Sequence, residues 1–265
     1  MTHPLDKNWQ LFANEAHIIR SFYRTGFEEL SRAGLSSPGR YMASLYSLGM
    51  ALERMGKLCY VITARRQEAD HSLDIKRDMG HKLKSILSTA YSGIEGENWN
   101  IAPPNLSTGI RTTVLTLIEG ILGGHSRYFS IDSLTGRKAV NPYPLLHQTL
   151  LRYYEILRDE RWAANIYKRF LGQAVELNAT ADAYTLFTDL EGNLLNQIEL
   201  FTTEAVYAIG CRGLKRELVE LIKPLAAYLI ELENVVDDYP CFSEFFLVFT
   251  NETSYLAALR RWSDR

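Results

Sequence analysis

The feature that most restricts the fold of this chain is a stripe of apolar residues at helical spacing between positions 41 and 62. Its seven members are Tyr41, Leu45, Leu48, Leu52, Met55, Cys59 and Ile62. At the rotation of an α-helix they fall within about 100° of arc, which is the width of a face that packs against a core. The stripe therefore predicts a long amphipathic helix.

The same periodicity extends over most of the chain. A first helix is predicted from the stripe Trp9, Phe12, Ala16, Ile19, Tyr23, Phe27 and Leu30. The Ser37-Pro38 pair predicts the start of the second helix, because serine caps helices and proline suits a first turn. Further helices are predicted at about 71–92, from a cap at Asn105 or Ser107 to Leu122, and at 145–158, 160–176, 181–209 and 212–236. The predicted fold class is all-α.

Two of the later helices are predicted from stripes of their own. The helix at 181–209 is predicted from Phe187, Leu190, Leu194, Ile198, Phe201, Ala205 and Ala208. The helix at 212–236 is predicted from Leu214, Leu218, Leu221, Leu225, Leu229 and Leu232. Pro224 is expected to kink or split the second of them, because proline lacks the N–H that the helix needs. The segment 123–144 interrupts the pattern, with a short extended piece expected at 127–131, so we predict units at 1–122 and 145–265.

Charge and cysteine content exclude several classes of protein. Lys and Arg number 29 against 31 Asp and Glu, a formal net charge of −2, so no overall positive field attracts nucleic acid. Cys59, Cys211 and Cys241 are too far apart for a disulfide framework or a zinc site, which favours the reducing cytoplasm. The N-terminus lacks the apolar core of a signal peptide, and no stretch of about 18 apolar residues predicts a membrane span.

Two pairs of a carboxylate and a histidine resemble metal-binding motifs, but both pairs lie in or beside one predicted helix. Glu68-x-x-His71 and Asp78-x-x-His81 each resemble half of a di-iron motif, but such a site draws its pairs from different helices. No metal and no cofactor is therefore predicted. His71, Asp74, Asp78 and His81 also share one helix face, which is either a stripe for proton transfer or RNA contact or a solvated face.

Two features of the second helix predict close packing. Gly49 and Gly56 flank its apolar stripe, and since glycine weakens a helix we expect a neighbouring helix to approach closely there. Glu53 and Lys57 have the i, i+4 spacing of an ion pair. Their position beside the stripe leaves two alternatives, an exposed surface pair or a partly buried pair.

The segment 123–144 contains a modest concentration of positive charge among aromatic residues. Arg127, Arg137 and Lys138 are expected to contact an anion, either RNA phosphate or an acidic partner, in a manner that weakens with salt. The alternative is a structural connection whose aromatic residues pack inward.

A dense apolar cluster follows Tyr239-Pro240. Its members are Phe242, Phe245, Phe246, Leu247, Val248 and Phe249. They are too broadly distributed for one helix face, so part of the cluster should be buried against another element or another subunit. We expect a homodimer or a protein partner through this segment.

The run from Ala43 to Lys57, followed by the histidine-bearing run Gly80-His81-Lys82-Leu83-Lys84, resembles the HEPN superfamily of helical bundles, and most of all its AbiV-like abortive-infection members. The resemblance covers roughly residues 8–128. It implies a four-helix up-and-down bundle, dimerisation and, in many members, metal-independent RNase activity in phage-defence or toxin–antitoxin systems.

The resemblance also implies candidate catalytic residues. The family signature is an arginine followed, after four to six residues, by a histidine. Arg66 precedes His71 with that spacing, and Arg77 precedes His81 with one residue fewer between them. Histidine would act as general acid or base on RNA, and arginine would stabilise the charge on phosphorus. The alternative is a non-enzymatic all-α interaction or scaffold protein, such as an antitoxin or a defence-complex subunit.

Overall fold

The computed structural model describes residues 7–67, 80–97, 99, 101–124, 129–138, 140–233 and 239–259. In the first half of the chain, the described residues form four long helices. They are α1 (Lys7–Arg32), α2 (Gly39–Arg66), α3 (Leu83–Gly96) and α4 (Gly109–Leu122). A short helix, α5 (Phe129–Leu134), follows α4. His71, Arg77 and Arg127 lie outside the described residues.

The second half adds further helices and one hairpin. Its elements are α6 (Tyr143–Leu157), α7 (Arg161–Glu176), β1 (Tyr184–Thr188), β2 (Leu194–Asn196), α8 (Gln197–Glu233), α9 (Ser243–Phe246), a 3-10 turn at Leu247–Thr250 and α10 (Thr253–Ala258). The strands are antiparallel, with Tyr184 opposite Asn196 and Thr188 opposite Leu194. The predicted all-α class is confirmed. Among the described helices, none has an apolar stretch long enough to span a bilayer.

Two long helices organise the core. All seven residues of the predicted α2 stripe are buried, and so are the six leucines of the stripe in α8. Helix α2 packs against α1, α3, α4 and α8. One continuous apolar core contains side chains from both sides of the segment 123–144. The division into units at 1–122 and 145–265 stays a prediction.

The close approach predicted at the glycines of α2 is confirmed. A Cβ atom at Gly49 would lie 2.5 Å from Cγ2 of Ile118 on α4. A Cβ atom at Gly56 would lie 2.8 Å from Cγ2 of Ile86 on α3. Both distances are shorter than van der Waals contact, so α2 meets α3 and α4 where its side chains are smallest.

The helix predicted at 181–209 is wrong over its first half. Residues 184–196 form the hairpin, and α8 begins only at Gln197. Asp189 accepts backbone N–H bonds from Glu191 and Asn193, and Gly192 has φ +92°, so the turn is built from residues suited to it. The predicted break near 210 is also absent, and Pro224 lies inside α8 without splitting it.

Three smaller predictions near helix ends are also wrong. Of the helix predicted at about 71–92, residues 71–79 lie outside the described residues. Residues 80–82 are not helical, because Gly80 adopts φ +51° in a turn, and α3 runs from Leu83 to Gly96 instead of ending near 92. The cap positions of α2 and α4 are Pro38 and Thr108, and neither has a side-chain capping bond. Within the piece expected to be extended, residues 129–131 belong to α5.

The apolar cluster after Tyr239 packs within the chain. Phe242 and Phe246 are fully buried. The Tyr23 hydroxyl of α1 donates to the Phe245 carbonyl at 2.6 Å, and its ring meets Phe249 edge-on at 4.8 Å. Burial against another element, the first of the two alternatives, is therefore confirmed. Leu247 of the same cluster is 57% exposed, and the homodimer or protein partner expected through this segment stays a prediction.

Candidate active site

A histidine and a buried carboxylate meet at the turn that precedes α3. His81 follows Gly80, whose positive φ bends the chain back towards α2. Its Nδ1 lies 2.8 Å from Oε2 of Glu53. The Glu53 residue is 4% exposed, whereas the His81 side chain is 60% exposed. The pair therefore joins a buried, fixed carboxylate to an imidazole that solvent can reach.

Lys57 completes the cluster. Its Nζ donates to Oε1 of Glu53 at 2.7 Å and to the carbonyl oxygen of Gly80 at 2.8 Å. Of the two alternatives for the Glu53–Lys57 pair, the partly buried one is confirmed. The ammonium group of Lys57 compensates the charge of the buried Glu53 carboxylate. Without this partner, burial of the carboxylate would carry a large desolvation cost. The ammonium group also ties the turn to α2, so that the position of His81 depends on both residues.

This arrangement suits proton transfer. A carboxylate can only accept, so when the imidazole is neutral the proton resides on Nδ1 and the lone pair on Nε2. An acid that orients histidine in this way is a recurring device of general acid–base catalysis. Nε2 of His81 has no hydrogen-bond partner in the described part of the chain. The imidazole can therefore take a proton from, or give one to, a bound molecule.

The surroundings of His81 carry charges of both signs. Lys82 and Lys84 are exposed and follow it directly. The backbone N–H of Lys84 donates to Oε1 of Glu119 at 2.8 Å, which holds α4 against the first turn of α3. Within the part of this region that the structure describes, the three lysines at 57, 82 and 84 outnumber the carboxylates of Glu53 and Glu119. This excess suits an anionic substrate.

Arg66 lies elsewhere on α2. It is thirteen residues beyond Glu53, which corresponds to about 20 Å along the helix axis. Its Nε donates to Oε2 of Glu97 at 2.9 Å, and its guanidinium lies over the Trp99 ring. The structure therefore does not bring Arg66 to His81. Of its predicted pair with His71, only the arginine lies within the described residues.

The predicted anion contact in 123–144 is described only in part. Arg137 and Lys138 are exposed beyond the end of α5, where the Arg137 N–H donates to the Asp132 carbonyl at 2.8 Å. Arg127 lies outside the described residues. The anion contact of this segment stays a prediction.

Sequence reasoning missed a second cluster with ligand atoms. His147 of α6 meets Asp189 and Glu191 of the hairpin turn, with one ligand atom of each within 4.8 Å of the others. The Tyr207 hydroxyl bonds Nδ1 of His147 and accepts the Leu190 N–H. Burial acts to raise the pKa of Asp189, but hydrogen bonds from Asn193 and Glu191 outweigh it and hold the pKa below its ordinary value.

No spacing in the sequence could have indicated this second cluster. Its residues come from α6, the hairpin and α8, and the hairpin was itself predicted as a helix. By contrast, the Glu53–Lys57 spacing and the position of His81 were visible in the sequence, although their contact was not.

Comparison of the chain with protein-family models, with curated proteins and with solved structures finds no match.

Proposed function

We propose that this chain is a metal-independent endoribonuclease in which His81 is the general acid or base. The observation that carries the proposal is the contact between His81 and the buried Glu53, with the exposed imidazole beside three lysines. These residues belong to the segment that resembles the HEPN superfamily. The resemblance supplies the substrate class, and the geometry supplies a residue able to transfer the proton.

The reaction needs two proton transfers at one phosphodiester. Nε2 of His81 takes the proton of a ribose 2′-hydroxyl, and the 2′-oxygen attacks the adjacent phosphorus. The bond from phosphorus to the 5′-oxygen breaks, that oxygen takes up a proton from water, and the His81 imidazolium later returns its proton to solvent. The products are a 2′,3′-cyclic phosphate and a 5′-hydroxyl. We assign to Arg77, four residues before His81, the stabilisation of charge on phosphorus.

Glu53 and Lys57 are positioning residues in this proposal. Glu53 holds the imidazole by its Nδ1 atom and favours the imidazolium that forms when Nε2 is protonated. Lys57 balances the charge of Glu53 and fixes the Gly80 carbonyl, so that the turn keeps its place. Neither side chain needs to touch RNA.

Removal of metal ions is expected to leave cleavage intact. Purified protein should cleave total RNA or tRNA equally with and without EDTA, because the proposed chemistry uses only side chains. The measurement is the rate at which a labelled tRNA disappears, together with detection of cyclic-phosphate ends. Absence of cleavage, or its loss in EDTA, would overturn the proposal. Loss of cleavage in EDTA would instead favour a metal site at His147, Asp189 and Glu191.

A second candidate function is a non-enzymatic interaction protein, either an antitoxin or a subunit of a defence complex. The observation that favours it is the apolar surface of the hairpin, where Tyr184, Leu186 and Leu194 are exposed and Leu186 is wholly so. A two-stranded sheet also presents unpaired backbone groups at its edges, which favour pairing with another chain. In this reading the Glu53–Lys57–His81 cluster only stabilises the turn.

Substitution at the hairpin tests its role in assembly. If the hairpin forms the dimer interface, Leu186→Lys should convert a dimer into a monomer at micromolar concentration, because a buried ammonium opposes association. Light scattering measures the change. Leu134→Lys is the matched control, since Leu134 is 87% exposed on a different element, and it should leave the dimer intact. If the wild-type protein is a monomer at this concentration, the prediction of a homodimer is wrong.

A further inference from the structure

The junction between α6 and the hairpin brings three potential metal ligands together. His147 comes from α6, and Asp189 and Glu191 come from the turn between β1 and β2. One ligand atom of each lies within 4.8 Å of the other two, so some point lies within about 2.8 Å of all three. Bonds from Zn²⁺ to nitrogen or oxygen are about 2.0–2.2 Å long. A side-chain shift of under about 1 Å therefore lets the three atoms share one ion, and Glu191 is exposed enough to make it.

The surroundings of His147 leave its Nε2 atom facing the carboxylates. The side chain is only 13% exposed, and its Nδ1 is bonded to the Tyr207 hydroxyl, which also accepts the Leu190 N–H. Nε2 lies 4.0 Å from Oε2 of Glu191, which is too long for a hydrogen bond. In the described part of the chain, no group forms a hydrogen bond with Nε2. A histidine that binds a metal usually gives its other ring N–H to an oxygen, and the Tyr207 oxygen is placed to accept it.

The turn fixes Asp189 and leaves it able to bind an ion. Its Oδ1 accepts the N–H groups of Glu191 and Asn193, and its Oδ2 accepts the Asn193 side-chain amide, each at 2.9 Å. An ionised carboxylate has about four lone-pair sites, of which these bonds use three. The remaining site lies on Oδ2. The donors are uncharged, so they hold the carboxylate in place without neutralising it.

The negative charge of this cluster has no lysine or arginine partner among the described residues. Neither Asp189 nor Glu191 forms an ion pair with such a side chain there, and the charged contact of Glu191 is the 4.0 Å approach of His147. Two carboxylates therefore face one imidazole, which carries at most one positive charge. A divalent cation offsets both carboxylates and leaves the imidazole neutral, which is the form that binds metals.

We propose that His147, Asp189 and Glu191 bind a divalent transition-metal ion, and that Zn²⁺ fits them best. One imidazole and two carboxylates are donors that Zn²⁺ accepts, whereas Mg²⁺ and Ca²⁺ prefer oxygen ligands alone. Three protein ligands leave the fourth position of a tetrahedral ion open to water or to a substrate. The ion also ties the hairpin turn to α6. The site shares no residue with the proposed ribonuclease centre, and neither proposal depends on the other.

The test is isothermal titration calorimetry of the full chain, purified without an affinity tag and freed of metal with EDTA that is then removed. The probes are the chlorides of Zn²⁺, Mn²⁺ and Mg²⁺. We expect one Zn²⁺ ion per chain, bound more tightly than Mn²⁺, as the usual order of divalent affinities predicts, with Mg²⁺ bound least tightly. Glu191→Gln and His147→Gln should each weaken Zn²⁺ binding about ten-fold or more, because each removes a ligand.

His17→Ala and Asp182→Asn are the matched controls, because each removes an exposed histidine or carboxylate that lies outside the cluster. Each should change the Zn²⁺ affinity less than about two-fold. Glu191→Gln alone decides the test if His147→Gln does not fold, since Glu191 is exposed. The proposal is overturned if the wild type binds no Zn²⁺ at millimolar concentration, or if Mg²⁺ binds as tightly as Zn²⁺. It is also overturned if Glu191→Gln binds Zn²⁺ as the wild type does, or if the controls weaken binding equally.

Discussion

Replacement of His81 by alanine is expected to reduce RNA cleavage by about 10²–10⁴-fold, which is the contribution of a general acid or base. The fold should persist, because the His81 side chain is 60% exposed and the core does not depend on it. Single-turnover cleavage of a labelled tRNA measures the rate, and circular dichroism verifies the fold. The variant, purified in the same way as the wild type, also controls for contaminating nucleases.

Three further substitutions sharpen this test. His17→Ala is the matched control, since His17 is an exposed histidine on α1, and it should cleave as the wild type does. Glu53→Gln should lower kcat with little change in KM, because the neutral amide no longer favours the imidazolium. His71→Ala tests the other predicted pair. If the His81→Ala and His71→Ala variants both cleave RNA at the wild-type rate, the ribonuclease proposal is wrong and the non-enzymatic interaction protein is favoured.

Replacement of Gly210 by alanine is expected to destabilise the fold by about 3 kcal/mol, at the upper end for an overpacked core. A Cβ atom at this position would lie 2.4 Å from the carbonyl oxygen of Leu150 and 2.9 Å from its Cα. The obstacle is backbone, so α6 and α8 must separate before a methyl group fits. Such a loss is a large part of the stability of a typical domain, about 5–15 kcal/mol.

Urea unfolding followed by circular dichroism measures the loss. Gly172→Ala on α7 is the matched control, because a Cβ atom there meets nothing within 4 Å. The control should gain up to about 1 kcal/mol from the better helix propensity of alanine. A Gly210→Ala protein as stable as the wild type would show that the two helices do not approach as closely as described.

Local periodicity was a reliable guide wherever one face of a helix met the core. The α2 stripe from Tyr41 to Ile62 is buried along its whole length, and so is the leucine stripe of α8. A three- and four-residue repeat is a property of the segment itself, so it needs no knowledge of distant residues. The same repeat misled at Phe187, Leu190 and Leu194, because the turn residues Asp189 and Gly192 outweighed it.

The sequence by itself determined the all-α class, the amphipathic helices α1 and α2 and the i, i+4 spacing that pairs Glu53 with Lys57, since each follows from spacing along one helix. Only the tertiary structure decided which distant groups meet. His81 reaches Glu53 because the turn at Gly80 returns the chain to α2, and Arg66 does not reach it because about 20 Å of helix intervenes. The cluster of His147, Asp189 and Glu191 likewise joins α6 to the hairpin turn. Contacts of this range depend on how helices pack, and no spacing along the chain encodes them.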